Sequence, residues 1–141
     1  VAKELGFAVV NPRETDLVTW AKKDYGEGGI NRIFDTASLP QTFEQALSIV
    51  RRGGRVINVG VPTQPVQWKP IPLLFEIELT GMNMYVRRNF MEALAAIKNG
   101  HVRVEPLISA CYPLAEIDRA YHAVLHEADR VIKVMLAPSM G

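Results

Sequence analysis

The run from Ile30 to Gly60 constrains the fold of this chain more than any other stretch. Arg32-Ile33-Phe34-Asp35 reads as an apolar strand, Thr36-Ala37-Ser38 as a turn, and the residues from about Pro40 to Arg52 as an amphipathic helix. Val56-Ile57-Asn58-Val59 then reads as a second strand ending at Gly60. Ser38 and Gln41 have capping-box spacing, Phe43, Ala46, Leu47 and Val50 share one helix face, and Gly53-Gly54 stops the helix. A strand that feeds a helix and returns to a parallel strand brings both strand C-termini to one edge of a sheet, the edge at which doubly wound folds bind their ligands.

Strand and helix signals alternate on both sides of this unit. Phe7-Ala8-Val9-Val10-Asn11 is a short apolar run stopped by Pro12, the pattern of a buried parallel strand. Thr15 or Asp16 can cap a helix with Leu17, Val18, Ala21 and Tyr25 on one face, ended by Gly26 to Gly29. Pro62 to Pro72 holds four prolines and reads as a loop, whose Trp68 either lies exposed or covers the sheet. Ile77 to Met84 reads as a strand. Asn89 and Glu92 have capping-box spacing for a helix that Gly100 closes, and Pro113 opens another with Ile117, Ala120, Tyr121, Val124 and Leu125 on one face. Val102 to Tyr112 is β-like but broken by Pro106, and Val131 to Leu136 is a closing strand.

A chain of 141 residues that is 48% apolar has room for one domain with a core and for no second full domain. Sixteen Lys and Arg against fifteen Asp and Glu leave a formal charge of +1, so neither nucleic acid nor an anionic membrane is an expected partner. The single cysteine, Cys111, excludes an internal disulfide, and no apolar run reaches membrane-spanning length; the cytoplasm is the expected location. Val1-Ala2-Lys3-Glu4-Leu5-Gly6 has the look of the last turns of a helix closed by a left-handed glycine, from which the expectation is a fragment or truncated product.

Several residues invite a chemical reading. Gly26-Glu27-Gly28-Gly29-Ile30-Asn31 has two glycines of a phosphate-binding G-x-G-x-x-G, but Asn31 fills the last position and the stretch precedes a strand, so a helix-to-strand turn is expected. Thr36-Ala37-Ser38 and Gly60-Val61-Pro62 follow the two strongest strands; they either open into one ligand crevice or are ordinary turns. His122 and His126 are four apart on a helix without a third ligand in a fitting pattern, so no metal is assigned. His101 is expected to cap a helix, Cys111 to fill the core, and Asp35 to be a buried carboxylate accepting backbone hydrogen bonds rather than a base. No catalytic set can be argued.

The order Ala2-Lys3-Glu4-Leu5-Gly6, Val10-Asn11-Pro12, Ile33-Phe34-Asp35 and Gly53-Gly54-Arg55-Val56-Ile57-Asn58-Val59-Gly60-Val61-Pro62 resembles the cofactor-domain half of zinc-type medium-chain alcohol, polyol and threonine dehydrogenases. The resemblance continues through Gly81-Met82-Asn83-Met84-Tyr85, Pro106-Leu107-Ile108 and Val131 to Leu136. It implies an α/β fold, a partial Rossmann-like doubly wound parallel sheet lacking its first two strands. Residues 1–141 would form one truncated nucleotide-binding-type domain, with 102–141 the segment that returns to a missing catalytic domain. It also implies NAD or NADP as cofactor, bound weakly or not at all by this chain, with zinc confined to the missing domain. The implied cofactor contacts are Thr36 and Ala37 beside the nicotinamide ribose, Val59, Gly60 and Val61 along the nicotinamide ring, Asn83 and Met84 near its carboxamide, and Lys133 toward the pyrophosphate. Ser38, where the family usually has glycine, and Met84, where polyol dehydrogenases tend to have arginine, depart from the pattern.

In the strand order 3-2-1-4-5-6 the absent pair is central, which leaves Arg32 to Asp35 an open apolar edge and Phe7 to Asn11 without neighbours. The expectation is re-pairing of that first strand, or homo-oligomerisation through exposed sheet edges. Two readings follow: part of a nicotinamide-dependent oxidoreductase acting on an alcohol, polyol or related hydroxy compound and inactive alone, or a non-catalytic α/β interaction module. A methyltransferase-like nucleotide domain is a third, against which the Gly53 to Pro62 match speaks.

Overall fold

The structure, a computed structural model, describes residues 1–127 and 129–138. Two compact units form: Ala8–Met84, and Tyr85 onward together with Val1–Phe7.

In the first unit, α1 (Leu17–Tyr25) starts at Asp16, whose carboxylate accepts the Thr19 N–H at 2.9 Å. The Thr19 side chain and amide hold the Asp16 carboxyl below its ordinary value. β1 (Ile30–Asp35), α2 (Pro40–Ile49) and β2 (Val50–Asn58) make the expected strand-helix-strand unit, with β1 and β2 parallel. β3 (Glu78–Gly81) adds to the other side of β2, again parallel, giving the order β1-β2-β3. The core is small and centred on β2: the successive residues Val56 and Ile57, on opposite faces of the strand, are both buried, as are Ile77, Ala21 of α1 and Ala46 of α2. Trp20 packs edge-on to Tyr25, and Trp68 packs edge-on to Phe43 of α2 with ring centroids 5.6 Å apart, so the proline-rich loop covers the helix.

The sequence reading needs three corrections here. Phe7 to Asn11 forms no strand and pairs with nothing in β fashion; Phe7 and Val9 are exposed. An apolar run becomes a strand only where a neighbour takes its backbone hydrogen bonds, and none lies beside this one among the described residues. Second, α2 stops at Ile49, and Val50 to Gly54 belongs to β2. The register jumps from Ile30↔Val50 to Arg32↔Arg55, a bulge that Gly53, at φ 64°, allows. Third, Ser38 does not cap α2. It is left-handed at φ 53°, and the helix begins with Pro40 at its first turn while Thr42 Oγ1 accepts the Leu39 N–H at 3.1 Å.

In the second unit, α3 (Arg87–Lys98) is followed by Gly100 at φ 72°, as the glycine predicts. Gly6, at φ 86°, is the left-handed glycine expected at the start. β4 (Ile108–Pro113) and β5 (Lys133–Ala137) form a parallel pair crossed over by α4 (Ile117–His126), whose buried residues are Ala120 and Ala123. Tyr121 and Leu125 of the expected apolar face are exposed. Cys111 is exposed on β4 rather than filling a core, because strand alternation turns Ala110 and Tyr112 inward in its place. No helix of the described residues is long and apolar enough to cross a membrane.

Candidate functional site

The pairings Asp35↔Asn58 and Asn58↔Gly81 set the C-terminal ends of β1, β2 and β3 side by side. The turns 36–38, 59–61 and 82–84 therefore leave the sheet at one edge. Backbone bonds tie them across: Val59 N–H and Gly60 N–H donate to the Asp35 carbonyl at 2.8 and 3.2 Å, and Met82 N–H donates to the Asn58 carbonyl at 3.0 Å. The seven candidate residues Thr36, Ala37, Val59, Gly60, Val61, Asn83 and Met84 all stand at this edge, and all but the half-buried Gly60 are exposed. Lys133, the eighth, opens β5 in the other unit and is also exposed.

Beneath the exposed turns lies a buried polar layer. Among the described residues Asp35 and Ser38 are the buried polar ones, 6% and 4% exposed. Asp35 Oδ1 accepts the N–H groups of Ala37 and Ser38 at 3.0 and 2.9 Å, and Oδ2 accepts the Thr42 hydroxyl at 2.8 Å. The carboxylate is thus spent on the backbone, as expected, and is not placed as a base. Ser38 Oγ donates to Asn58 Oδ1 at 2.5 Å, and Asn58 Nδ2 donates to the Gly60 carbonyl at 3.0 Å. Gly60 is glycine for a spatial reason: a Cβ there would stand 2.5 Å from the Thr36 carbonyl oxygen and 2.7 Å from Ser38 Oγ.

Asn58 is the residue that pattern reading passed over. It sits in an apolar run and counts there as a strand position. The available signal was its polarity: an amide at the end of a buried strand must find partners. A cavity of about 250 Å³ adjoins the first turn, lined by Ile33, Phe34, Thr36, Ala37, Thr42 and Gln45 among others. A larger cleft, about 370 Å³, lies at the opposite strand ends beside Gly28 and Gly29. Its cations are already engaged: Lys22 pairs with Glu27 of the same cleft at 3.3 Å, Arg51 Nε donates to Asn31 Oδ1, and Arg52 lies over the Phe75 ring. The glycine stretch there is the helix-to-strand turn expected, Gly29 N–H donating to the Gly26 carbonyl at 3.2 Å. His122 and His126 face each other with ring centroids 4.7 Å apart on the exposed side of α4. Among the described residues no three His, Cys, Asp or Glu converge as metal ligands.

Residues 1–99 match the zinc-binding dehydrogenase family. The chain is 32% identical over 125 residues to a 2-dehydro-3-deoxy-L-galactonate 5-dehydrogenase of Pseudoalteromonas atlantica, covering 85% of this chain and 36% of that protein. It is likewise 32% identical over 130 residues to an alcohol dehydrogenase of Geobacillus stearothermophilus, covering 89% of this chain and 36% of the other. Among solved structures, L-idonate 5-dehydrogenase of Escherichia coli superposes with a TM-score of 0.80 at 27% identity, covering 96% of this chain and 38% of that one. The 2R,3R-butanediol dehydrogenase of Bacillus subtilis, at 23% identity and a TM-score of 0.86 over 98% of this chain and 40% of its own, shares the fold. The edge at which parallel strands end in register is where doubly wound α/β folds bind their ligands. The chain belongs to the zinc-binding dehydrogenase family and corresponds to its cofactor-binding part. It spans less than half the length of these relatives.

Proposed function

We propose that this chain is the nucleotide-holding part of a nicotinamide-dependent oxidoreductase acting on an alcohol, a polyol or a related hydroxy compound. The observation that carries the reading is the alignment of three parallel strand ends, which presents the turns 36–38, 59–61 and 82–84 as one wall. The residues suit a flat, partly polar ligand. Gly60 and Ala37 leave backbone exposed for close approach, Thr36 offers a hydroxyl for a sugar, and Val59 and Val61 offer apolar surface to a ring. Asn83 supplies an amide that can pair with a carboxamide. When bound, the nicotinamide supplies hydride acceptance or donation; these residues bind, orient and exclude water. The described residues hold no metal-ligand set, so none is assigned to zinc. The 141 residues carry no G-x-G-x-x-G after a strand, so affinity for NAD or NADP in this chain alone is expected to be weak, about millimolar.

Titration of NADH into the polypeptide at its native length is the test. Saturable binding that Gly60→Val abolishes, in a protein still folded by circular dichroism, supports the reading. A folded protein that binds neither NADH nor NADPH removes it.

A second reading, a homo-oligomerising α/β module, is favoured by the outer edge of β1. Among the described residues that strand has β2 on one side only, and Phe34 is 61% exposed. Such an edge offers unpaired backbone groups and apolar surface to another chain. Light scattering that shows a monomer at all concentrations would eliminate this reading.

A further inference from the structure

We propose that Ser38 is a positioning residue that fixes the gap between the turns 36–38 and 59–61, through a closed ring of hydrogen bonds with Asp35, Asn58 and Gly60. The ring runs from the Asp35 carboxylate to the Ser38 N–H, from Ser38 Oγ to Asn58 Oδ1, from Asn58 Nδ2 to the Gly60 carbonyl, and from the Gly60 N–H back to the Asp35 carbonyl. Two of the four links, Ser38 to Asn58 and Gly60 to Asp35, join β1 or its turn to β2 or its turn, and the other two brace each turn against its own strand. The separation of the turns is therefore set by side chains as well as by the sheet.

Ser38 has to be left-handed for this. A non-glycine residue at φ 53° costs about 1 kcal/mol or more relative to glycine, and glycine would supply the same backbone without that cost. Glycine would not supply the hydroxyl. At 4% exposure, Ser38 Oγ has no water to turn to, and its bond to Asn58 is what the strained backbone secures. The hydroxyl also fills the space a Gly60 side chain would need, 2.7 Å from the position of its Cβ. Once Asn58 is oriented by Ser38, its amide holds the Gly60 peptide plane, and that plane is part of the wall facing the crevice. This inference rests on the reading of that crevice as the nicotinamide site.

The experiment is amide-resolved hydrogen exchange by NMR, with NADH titration, on Ser38→Ala and Ser38→Gly in the polypeptide at its native length. Ser38→Ala keeps the strain and loses the hydroxyl; Ser38→Gly loses both. If only the backbone conformation mattered, Ser38→Gly would leave the turns as they are. The ring instead requires the Gly60 N–H to exchange about three- to tenfold faster in both variants, and NADH to bind about fivefold more weakly in both. Asn58→Ala should do the same, and combining it with Ser38→Ala should add nothing further at Gly60. Unchanged exchange at Gly60 in both Ser38 variants overturns the inference and leaves the crevice reading standing. Faster exchange with unaltered NADH affinity overturns the positioning role. An unsubstituted protein that binds no NADH removes the crevice reading itself.

Discussion

Ser38, after β1, and Met84, after β3, both take the left-handed backbone, at φ 53° and 58°, yet the first is 4% exposed and the second 79%. The two turns flank β2 at the same sheet edge and solve opposite problems. Around Ser38 the strained backbone is surrounded by acceptors and donors: the Asp35 carboxylate, the Asn58 amide and the Thr42 hydroxyl. Around Met84 an apolar side chain stands in solvent, and its turn is tied to β2 by a backbone bond from Met82 N–H to the Asn58 carbonyl. The difference teaches that left-handed strain alone says little about a site. What matters is whether the surrounding groups convert it into a fixed geometry.

The contrast can be broken most directly at Asp35. Asp35→Ala strands the N–H groups of Ala37 and Ser38 and leaves the Thr42 hydroxyl only the Leu39 carbonyl as acceptor, and should destabilise the protein by about 3 kcal/mol. Urea titration followed by circular dichroism reads this, and a loss below about 1 kcal/mol would show that the first turn is no better anchored than the third. Gly60→Ala comes next. Its Cβ would meet the Thr36 carbonyl oxygen at 2.5 Å, so the turns must part, at a cost of about 2 kcal/mol in the same titration. Met84→Gly should move the other way, with stability rising by about 0.5 kcal/mol because strain is relieved and little is lost. A fall in stability would mean that the Met84 side chain anchors its turn after all.

The smallest effect belongs to Asp16, an exposed carboxylate that does for α1 what buried Asp35 does for its turn. Bonds from Thr19 hold its carboxyl below the ordinary value of 3.8. Because the folded value is the depressed one, its contribution is complete above the unfolded value and is lost as the pH falls through the folded one. Helical signal at 222 nm should therefore decline on acidification below about pH 4, and Asp16→Asn, which keeps a cap, should flatten that decline. Identical acid profiles for the two proteins would refute this.

The strand-helix-strand unit was legible because its two periodicities are distinct and its apolar residues are contiguous. β1 begins two residues before the predicted start and ends at Asp35 as read. The edge carrying the candidate site was legible for the same reason: parallel strands must end together. What could not be read were the features that depend on partners. Phe7 to Asn11 has the composition of a strand and no neighbour to pair with. Gly53-Gly54 looks like a helix stop, but Gly54 is packed where a Cβ would meet the Arg51 carbonyl oxygen at 2.8 Å, inside a bulged strand. Ser38 has the spacing of a cap, and only the position of Asn58, twenty residues away, reveals its use.

Trp20 and Trp68 both belong to the Ala8–Met84 unit. Indole emission therefore reports on one half of the molecule and is blind to the other, whereas far-ultraviolet dichroism sees the helices of both. Superimposable melting curves from the two signals would mean that the halves unfold as one cooperative body. Separated curves would assign the earlier or later transition to a particular half without any label, giving this chain a built-in optical ruler of its own cooperativity.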